Sequence, residues 1–368
     1  MISIKRPTRP TRTARRLAAA LAVPVLLLTA ACGSDSGNSG NSADAEETQE
    51  SESNAPWPLA TVTGAVGEEP AIEVPDGAET SSETVVTVLE EGDGPTVAEN
   101  DYLRVSLLAR GLKEDEEDLV NTWSPRTAED QQTEGSEGSE GSGETAGQED
   151  AEPVYAALQM GKEDLLPLAV TDPLVGKPEG SRVVIQGAAS ELIGAVAENV
   201  GFQPGDSVVF VYDIVTVIDP LSMAEGEQAA AGPGMPEVQA GEPEAASITV
   251  PEGEEPPAEI QQQVLIEGDG AEVKANQQLI VQYTGVKWSD GEKFDSSWDH
   301  GGASKFPIGA GGVIAGWDET LVGKHVGDRV LLVIPPEKAY GVTEEGAEPA
   351  HELADQTLVF VVDILDAI

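Results

Sequence analysis

Hydrophobic and polar positions in the last third of the chain alternate between short apolar runs and polar turns. Three runs have the length and β-branched content of strands, namely residues 279–283, 330–334 and 358–364. Residues 289–292 read Ser-Asp-Gly-Glu and predict a hairpin turn. One short helix is predicted over residues 314–322, ended by Gly323. The pattern predicts an α+β fold in which an antiparallel sheet wraps around one short helix.

The same pattern occurs twice along the chain. Residues 72–77 recur as 248–253, and residues 88–94 recur as 264–270, both at a shift of 176 positions. Later segments match after gaps: 174–177 with 321–324, and 209–214 with 359–364. The spacing indicates an internal duplication of a domain of about 120 residues rather than a short repeat.

Acidic, low-complexity segments divide the chain into its predicted parts. A Glu-Gly-Ser-rich insertion at residues 113–152 interrupts the first copy. Few large apolar residues occur in 32–70, which predicts a flexible tether. The predicted organisation is a signal peptide at 1–31, the tether at 32–70, the first copy at 71–219, an acidic linker at 220–246 and the second copy at 247–368.

The beginning of the chain resembles a bacterial lipoprotein signal. Six basic residues precede an apolar run at 17–29, and small residues then lead to Cys32, the one cysteine of the chain. We expect cleavage before Cys32 and attachment of lipid to that residue. The alternative is an ordinary signal peptide with an incidental cysteine. The lipoprotein interpretation places the mature protein outside the cytoplasm, anchored by lipid to the outer face of the cell membrane without a transmembrane helix.

The composition excludes several classes of function. The chain has 67 acidic and 20 basic residues, for a net charge of −47, so nothing in it could neutralise nucleic-acid phosphates. The three histidines are widely spaced and we expect each at the surface, without metal-ligand spacing. The acidic loops are interpreted as solvated spacers rather than calcium sites. No cofactor and no metal are predicted.

Aromatic residues are concentrated in the second copy, which holds eight of the fifteen rings of the chain. Such a concentration indicates a large core or a pocket lined by rings. The rings lie in motifs that follow one another in order: Tyr-Thr-Gly at 283–285, Phe-Asp-Ser-Ser at 294–297, Val-Ile-Ala-Gly-Trp at 313–317, Ala-Tyr-Gly at 339–341 and Thr-Leu-Val-Phe at 357–360. Across residues 263–368 the sequence resembles the FKBP-type peptidyl-prolyl cis–trans isomerases. The resemblance implies two FKBP-like domains, each a curled five-stranded antiparallel sheet around one short helix.

The resemblance also assigns roles to individual residues. It implies that Trp317 forms the floor of a proline pocket, that the backbone N–H of Ile314 and the hydroxyl of Tyr340 bind substrate carbonyls, and that Asp295 polarises Tyr283 or the amide. The implied walls are Tyr283, Phe294, Phe306, Val313, Ile314 and Phe360. The loop 349–356 departs from the family pattern, which leaves two alternatives: Leu353 replaces the apolar lid, or the loop is more open and polar.

The chemistry expected of such a pocket requires no nucleophile, metal or base. An X–Pro amide isomerises over a barrier of about 20 kcal/mol because its C–N bond loses resonance. The planar ground state separates more charge than the twisted transition state. An apolar, water-free pocket therefore favours the transition state.

The first copy lacks the residues of this pocket, and we expect it to be inactive. The aligned positions pair Leu107 with Tyr283, Val120 with Phe294, Asn121 with Asp295, Leu165 and Leu166 with Val313 and Ile314, Ala169 or Val170 with Trp317, and Ile193 with Tyr340. A copy that keeps its strands but loses its pocket suggests a structural, spacer or substrate-binding role.

The sequence therefore predicts an isomerase that assists the folding of exported, proline-containing polypeptides at the cell envelope. It also predicts a monomer that accepts macrolide ligands and binds no nucleic acid. The main alternative is a non-catalytic module that binds unfolded chains or partners. A third hypothesis is a purely structural lipoprotein of the cell envelope, which would have no pocket.

Overall fold

Both copies form antiparallel sheets in a computed structural model that describes residues 57–77, 79–112, 118–124, 154–163, 165–203, 205–344 and 346–368. The predicted signal peptide, Cys32 and most of the insertion 113–152 lie outside these residues. All of the described residues belong to one compact unit.

The first copy contains ten strands and three short helices among its described residues. The strands are β1 (Trp57–Pro58), β2 (Thr61–Thr63), β3 (Ala71–Glu73), β4 (Thr80–Ser81), β5 (Val85–Glu90), β6 (Tyr102–Gly111), β7 (Asp118–Asn121), β8 (Ala156–Gln159), β9 (Arg182–Ala188) and β10 (Ser207–Ile218). The helices are α1 (Leu168–Thr171), α2 (Ala189–Leu192) and α3 (Val196–Asn199).

The second copy contains eight strands and one α-helix among its described residues. The strands are β11 (Glu237–Gln239), β12 (Ser247–Thr249), β13 (Gln261–Ile266), β14 (Gln278–Lys287), β15 (Lys293–Ser296), β16 (Ser304–Pro307), β17 (Arg329–Ile334) and β18 (Leu358–Ala367). The helix is α4 (Ala315–Leu321), and 3₁₀ turns occur at Ser297–His300 and Pro336–Lys338.

The main sheets of the two copies have the same topology, which confirms the duplication. The first sheet has the order β5-β9-β10-β6-β7, with β8 also paired to β6. The second has the order β13-β17-β18-β14-β15, with β16 also paired to β14. Each sheet thus contains six strands, where the resemblance implied five.

The elements predicted for the second copy are confirmed. The three apolar runs lie within β14, β17 and β18. Helix α4 is bounded by Ile314 and Val322, and Gly323 follows it with a φ of +83°, a left-handed conformation that suits glycine. The hairpin is closed by a hydrogen bond from the Lys287 N–H to the Glu292 carbonyl at 3.0 Å.

Both faces of the second sheet are covered, which explains why its central strands are apolar throughout. Side chains alternate across a strand, so Val330, Leu332 and Ile334 pack towards α4. Leu331 and Val333 belong to a second cluster on the opposite face. The chain that precedes the sheet provides much of this second cover, through Met235, Val238 and Ala246.

A short hairpin precedes each sheet, and the sequence did not predict it. β2 pairs with β3, and β11 pairs with β12, at the same shift of 176 residues. Val62 of β2 is buried against the outer face of the first sheet. The prediction of a flexible tether over residues 32–70 is therefore wrong for 57–70, and each repeated unit begins before the predicted starts at 71 and 247. The linker 220–246 is likewise packed and contains β11.

A buried ion pair holds each of these segments to its sheet. Arg182 is paired with Asp213, and Arg329 is paired with Asp363, each with an Nε–Oδ1 distance of 2.6 Å. Arg182 also donates to the carbonyls of Gly64 and Glu68, at 2.8 and 2.6 Å. Burying a charged pair is favourable only when further hydrogen bonds satisfy it, and the preceding segment supplies those acceptors.

The two copies contact each other through the ends of their sheets. The buried Tyr102 donates its hydroxyl proton to the Ala303 carbonyl at 2.9 Å. Arg104 pairs with the buried Asp366, with an Nε–Oδ2 distance of 3.1 Å. Tyr102, Ile218, Ile280 and Ala303 form a small shared apolar cluster.

Over the described ranges, no helix combines the length and the apolar character needed to cross a membrane.

Candidate functional site

Trp317 occupies the centre of the apolar core between α4 and the second sheet. Its side chain is only 4% exposed. The preceding Gly316 lets the helix approach β17 closely, because a Cβ atom at this position would lie 2.5 Å from the Ile334 side chain. The glycine therefore determines how deeply the indole ring enters the core.

Three aromatic rings contact Trp317, and a fourth packs against one of them. Its ring lies 5.6 Å from Tyr283, 5.5 Å from Phe306 and 5.4 Å from Phe360, with interplanar angles of 79–85°. Phe294 packs edge-on against Phe360 at 5.5 Å. Edge-to-face contacts at these distances are favourable and fix the orientation of each ring.

The indole nitrogen of Trp317 is a buried donor without an acceptor in the described structure. Buried indole N–H groups normally find a hydrogen-bond partner. Since the buried Tyr212 hydroxyl in the core of the first copy likewise has no partner, the candidate site is identified by the rings that converge on Trp317 rather than by its unpaired N–H.

Asp295 receives hydrogen bonds from several directions at the rim of the aromatic cluster. The Tyr283 hydroxyl donates to its Oδ2 at 2.7 Å. His300 Nε2 lies 2.8 Å from Oδ1, and the Ser296 N–H donates to the same oxygen at 2.8 Å. This network orients both the carboxylate and the phenol.

The network shifts the pKa values of its members. Partial burial acts to raise the pKa of Asp295, but the hydrogen bonds from Tyr283, His300 and Ser296 together lower it below the usual value. Burial, followed by the hydrogen bond to Asp295, raises the pKa of Tyr283 far above normal. The phenol therefore remains a proton donor and the carboxylate remains ionised throughout the neutral range.

Tyr340 and the atypical loop 349–356 form the opposite rim. The Tyr340 ring stacks on His351 with a centroid distance of 4.0 Å and an interplanar angle of 9°. His351 Nδ1 accepts a hydrogen bond from the Leu353 N–H at 3.1 Å. Leu353 is buried and belongs to the same apolar cluster as Trp317.

Burial, followed by the charge of Asp295, raises the pKa of Tyr340. Its hydroxyl is therefore protonated at neutral pH and can donate to a substrate carbonyl. The remaining predicted wall residues are half-buried and pack against the cluster: Phe294, Phe306, Val313 and Ile314. The structure thus brings all ten predicted pocket residues together, while their individual roles stay predictions.

Backbone pairing changes the alignment of the first copy at two places. Thr284 pairs with Ser296, and the equivalent Leu108 pairs with Asn121. Leu119 and Val120 therefore stand for Phe294 and Asp295, and the predicted matches of Val120 and Asn121 are wrong by one residue.

The second change concerns the helix entrance. Pro167 precedes α1 with φ −62° and ψ 148°, and Ile314 precedes α4 with φ −60° and ψ 145°. Proline thus occupies the position of Ile314, and Leu166 that of Val313, so the predicted Leu165–Leu166 match is also wrong by one residue. Since proline has no N–H, the first copy lacks even the backbone donor of the site.

Val170 is the equivalent of Trp317, because Ala169 is exposed whereas Val170 is fully buried. Leu107 is buried in the first core at the position of Tyr283. Ile193, at the position of Tyr340, is also buried. The first copy retains the fold without any hydrogen-bonding group of the site.

Sequence reasoning missed His300, His351 and Asp318. The first two were expected at the surface, and both are exposed, yet each contacts a residue of the site. Asp318 accepts the N–H groups of Gly309 and Gly311 at 2.7 and 2.8 Å and so fixes the loop before α4. The sequence could have indicated this role, because Asp318 directly follows Trp317 and glycines precede the helix.

Among the residues of known placement, no group of three His, Cys, Asp or Glu could hold a metal ion.

Comparisons with known proteins place the second copy in a known family. A family model described as FKBP-type peptidyl-prolyl cis-trans isomerase matches residues 270–365. A probable FK506-binding protein of Corynebacterium glutamicum is 49% identical over 85 residues, which cover 23% of this chain and 67% of that protein. An FK506-binding protein of Streptomyces anulatus is 45% identical over 83 residues, which cover 23% of this chain and 65% of that protein.

The chain therefore spans about two thirds of the length of these two relatives. One solved structure, the crystal structure of AtFKBP13, is 29% identical and covers 30% of this chain and 93% of its own, with a TM-score of 0.27. The matched region of the family model contains each motif that surrounds Trp317. This chain belongs to the FKBP-type peptidyl-prolyl cis–trans isomerase family.

Proposed function

We propose that the second copy catalyses cis–trans isomerisation of X–Pro bonds in polypeptide substrates. The observation that supports this function is the Trp317 ring, held edge-on by Tyr283, Phe306 and Phe360. The proline ring would pack on the indole, and the apolar walls would exclude water from the amide. The twisted amide, which separates less charge than the planar one, is then stabilised relative to the ground state.

Two donors would hold the carbonyls that flank the twisting bond. These are the Tyr340 hydroxyl and the Ile314 N–H at the entrance to α4, where N–H groups precede the first helical hydrogen bonds. Asp295 would act through Tyr283, whose phenol it orients. The proposed mechanism uses binding and desolvation and transfers no proton.

The test is isomerisation of a short X–Pro peptide by the full chain, followed by exchange NMR. Tyr340→Phe should lower kcat/KM by about three- to tenfold, the range for loss of one hydrogen bond. Tyr155→Phe is the matched control, since this half-buried tyrosine lies in the first copy, and it should change nothing. A wild-type rate equal to the uncatalysed rate would reject the proposal.

Peptide binding without isomerisation is the second candidate function. It is favoured by the loop 349–356, where His351 covers one face of the Tyr340 ring. In that case the peptide should still quench or shift Trp317 fluorescence, although the isomerisation rate stays at the uncatalysed value.

We propose that the protein is lipid-anchored through Cys32 at the outer face of the cell membrane and acts there on exported polypeptides. The signal-like basic and apolar segments that precede Cys32 support this proposal. The large excess of acidic over basic residues, 67 against 20 in the full chain, would favour a monomer through repulsion between molecules. Because both curated relatives are named for FK506, we propose that the Trp317 pocket also accepts a macrolide.

A further inference from the structure

The first copy has a groove at the position that holds the proline pocket in the second copy. Six apolar residues line it: Leu165, Leu166, Pro167, Ala169, Leu192 and Ile193. We call this set the first-copy groove. It is an open depression with a volume of about 460 Å³. Leu166, Pro167 and Ile193 are the equivalents of Val313, Ile314 and Tyr340.

The replaced residues determine what kind of contact the groove can make. Pro167 cannot donate from its backbone, and Ile193 has no hydroxyl. The groove has therefore lost the donors that would grip a substrate carbonyl on either side of an amide. Its lining combines apolar and polar surface, and burial of a side chain against the apolar part shows no preference for proline.

Apolar residues around the groove are exposed to an unusual degree. Leu165 is 58% exposed, and Val196 and Val200 of the neighbouring helical segment are 50% and 48% exposed. Leu165 lines the groove itself, and the Val196 N–H donates to the carbonyl of the lining residue Ile193, so exposed apolar side chains lie in and next to this concave surface.

Two carboxylates define the charge of the rim. Glu163 and Glu191 line the groove, are exposed and have no cationic partner among the described residues. A segment that places basic side chains beside the groove would gain favourable electrostatic contacts and faster association. An acidic segment would be repelled.

We infer that the first-copy groove is a second, non-catalytic docking site for unfolded polypeptide, which takes an apolar side chain flanked by lysine or arginine. This inference deepens the proposed function, because it supplies the isomerase with a second point of contact on the same class of substrate. A chain bound in the groove is held on the same molecule as Trp317, and this linkage would raise the effective concentration of its prolines at the second copy.

Fluorescence anisotropy of a dansyl-labelled, proline-free peptide tests the inference on the full chain. The peptide carries leucines flanked by lysines. Leu165→Gln combined with Ala169→Gln should weaken its binding by about fivefold or more through loss of apolar contact. Leu221→Gln is the matched control, because Leu221 is also a half-exposed leucine but lies outside the groove, and it should leave affinity unchanged.

The charge of the rim is tested separately. Glu163→Gln with Glu191→Gln should weaken binding of the lysine-flanked peptide by about threefold at low salt and leave a glutamine-flanked analogue unaffected. Glu252→Gln with Glu259→Gln, two exposed glutamates on the segment before β13, is the control. Wild-type affinity in both groove variants would overturn the inference.

The outcome is independent of the isomerase test. If the groove variants bind the peptide poorly but still isomerise a short X–Pro peptide at the wild-type rate, both proposals hold. If wild type binds the peptide through the groove but does not isomerise X–Pro bonds, the docking site is supported and the proposed isomerase function is rejected. If wild type isomerises X–Pro bonds but the groove variants bind the peptide normally, the isomerase function is supported and the docking site is rejected.

Discussion

Asp295 shows how a single residue couples stability to the geometry of the site. It is the common acceptor for Tyr283, His300 and the Ser296 backbone. Since hydrogen bonds to the ionised form lower its pKa, this form contributes stability that is fully present above the pKa of an unfolded aspartate, about 3.9. That contribution is lost as pH falls through the lower folded-state pKa.

Asp295→Asn should therefore lower the thermal midpoint near neutral pH, and the difference from wild type should shrink as pH approaches about 3. Thermal unfolding at several pH values measures the difference in midpoint between the variant and wild type. Asp299→Asn is a nearby control, because Asp299 is exposed and forms a surface pair with Lys293. A difference for Asp295→Asn that stays constant with pH would show that the carboxylate charge is not the stabilising feature.

The sequence located the residues of the site better than it located the hydrogen bonds between them. The aromatic residues were predictable because rings recur within ordered motifs. His300 was not, because its contact with Asp295 depends on the 3₁₀ turn at Ser297–His300, which no periodicity predicts. The predicted matches of Val120 and Asn121 were wrong by one residue because nothing in the sequence indicates which residue of β7 faces Leu108.

At the scale of elements, the fit between α4 and β17 depends on the absence of a side chain at Gly316. Gly316→Ala would place a Cβ atom 2.5 Å from Ile334. Alanine stabilises a helix by up to about 1 kcal/mol relative to glycine. Overpacking of a dense core, however, destabilises the fold by about 1–3 kcal/mol. We expect net destabilisation by about 1–2 kcal/mol and slower isomerisation, because Trp317 must move.

Urea unfolding followed by tryptophan fluorescence measures the first effect. Gly241→Ala is the matched control, since no atom lies within 4 Å of its Cβ position, and it should change stability by less than about 0.5 kcal/mol. Equal stability of Gly316→Ala and wild type would mean that Ile334 repacks without cost.

Elements with strong apolar periodicity were predictable, and the hairpins β2–β3 and β11–β12 were not. Each strand of these hairpins has three residues and buries one side chain or none, so local periodicity is too short to detect. Tertiary contacts hold these hairpins in place. In the first copy, for example, Arg182 of β9 donates to the carbonyls of Gly64 and Glu68, residues more than 100 positions away. Composition alone therefore assigned residues 57–70 to a tether.

At the scale of the molecule, the contacts between copies place the first copy against the strand that carries Phe306. Ala303 precedes β16 and accepts a hydrogen bond from Tyr102, and Lys305 within β16 donates to the Ala157 carbonyl at 3.3 Å. Sequence could not predict this interface, because Tyr102, Arg104 and Asp366 lie within ordinary strand patterns. The first copy thus has a structural role in addition to the proposed groove.

The pair formed by Arg104 and Asp366 is the contact between copies most open to a direct test. Asp366 is 2% exposed, so its removal leaves the partly buried Arg104 without its charge partner. Asp366→Asn should therefore cost about 2 kcal/mol and uncouple the copies, so that calorimetry resolves two transitions where wild type shows one. Asp118→Asn, which breaks the more exposed pair with Arg110 inside the first copy, should cost about 1 kcal/mol or less and leave the number of transitions unchanged. If Asp366→Asn unfolds as wild type does, the copies are coupled mainly through the apolar cluster around Tyr102 and Ile280.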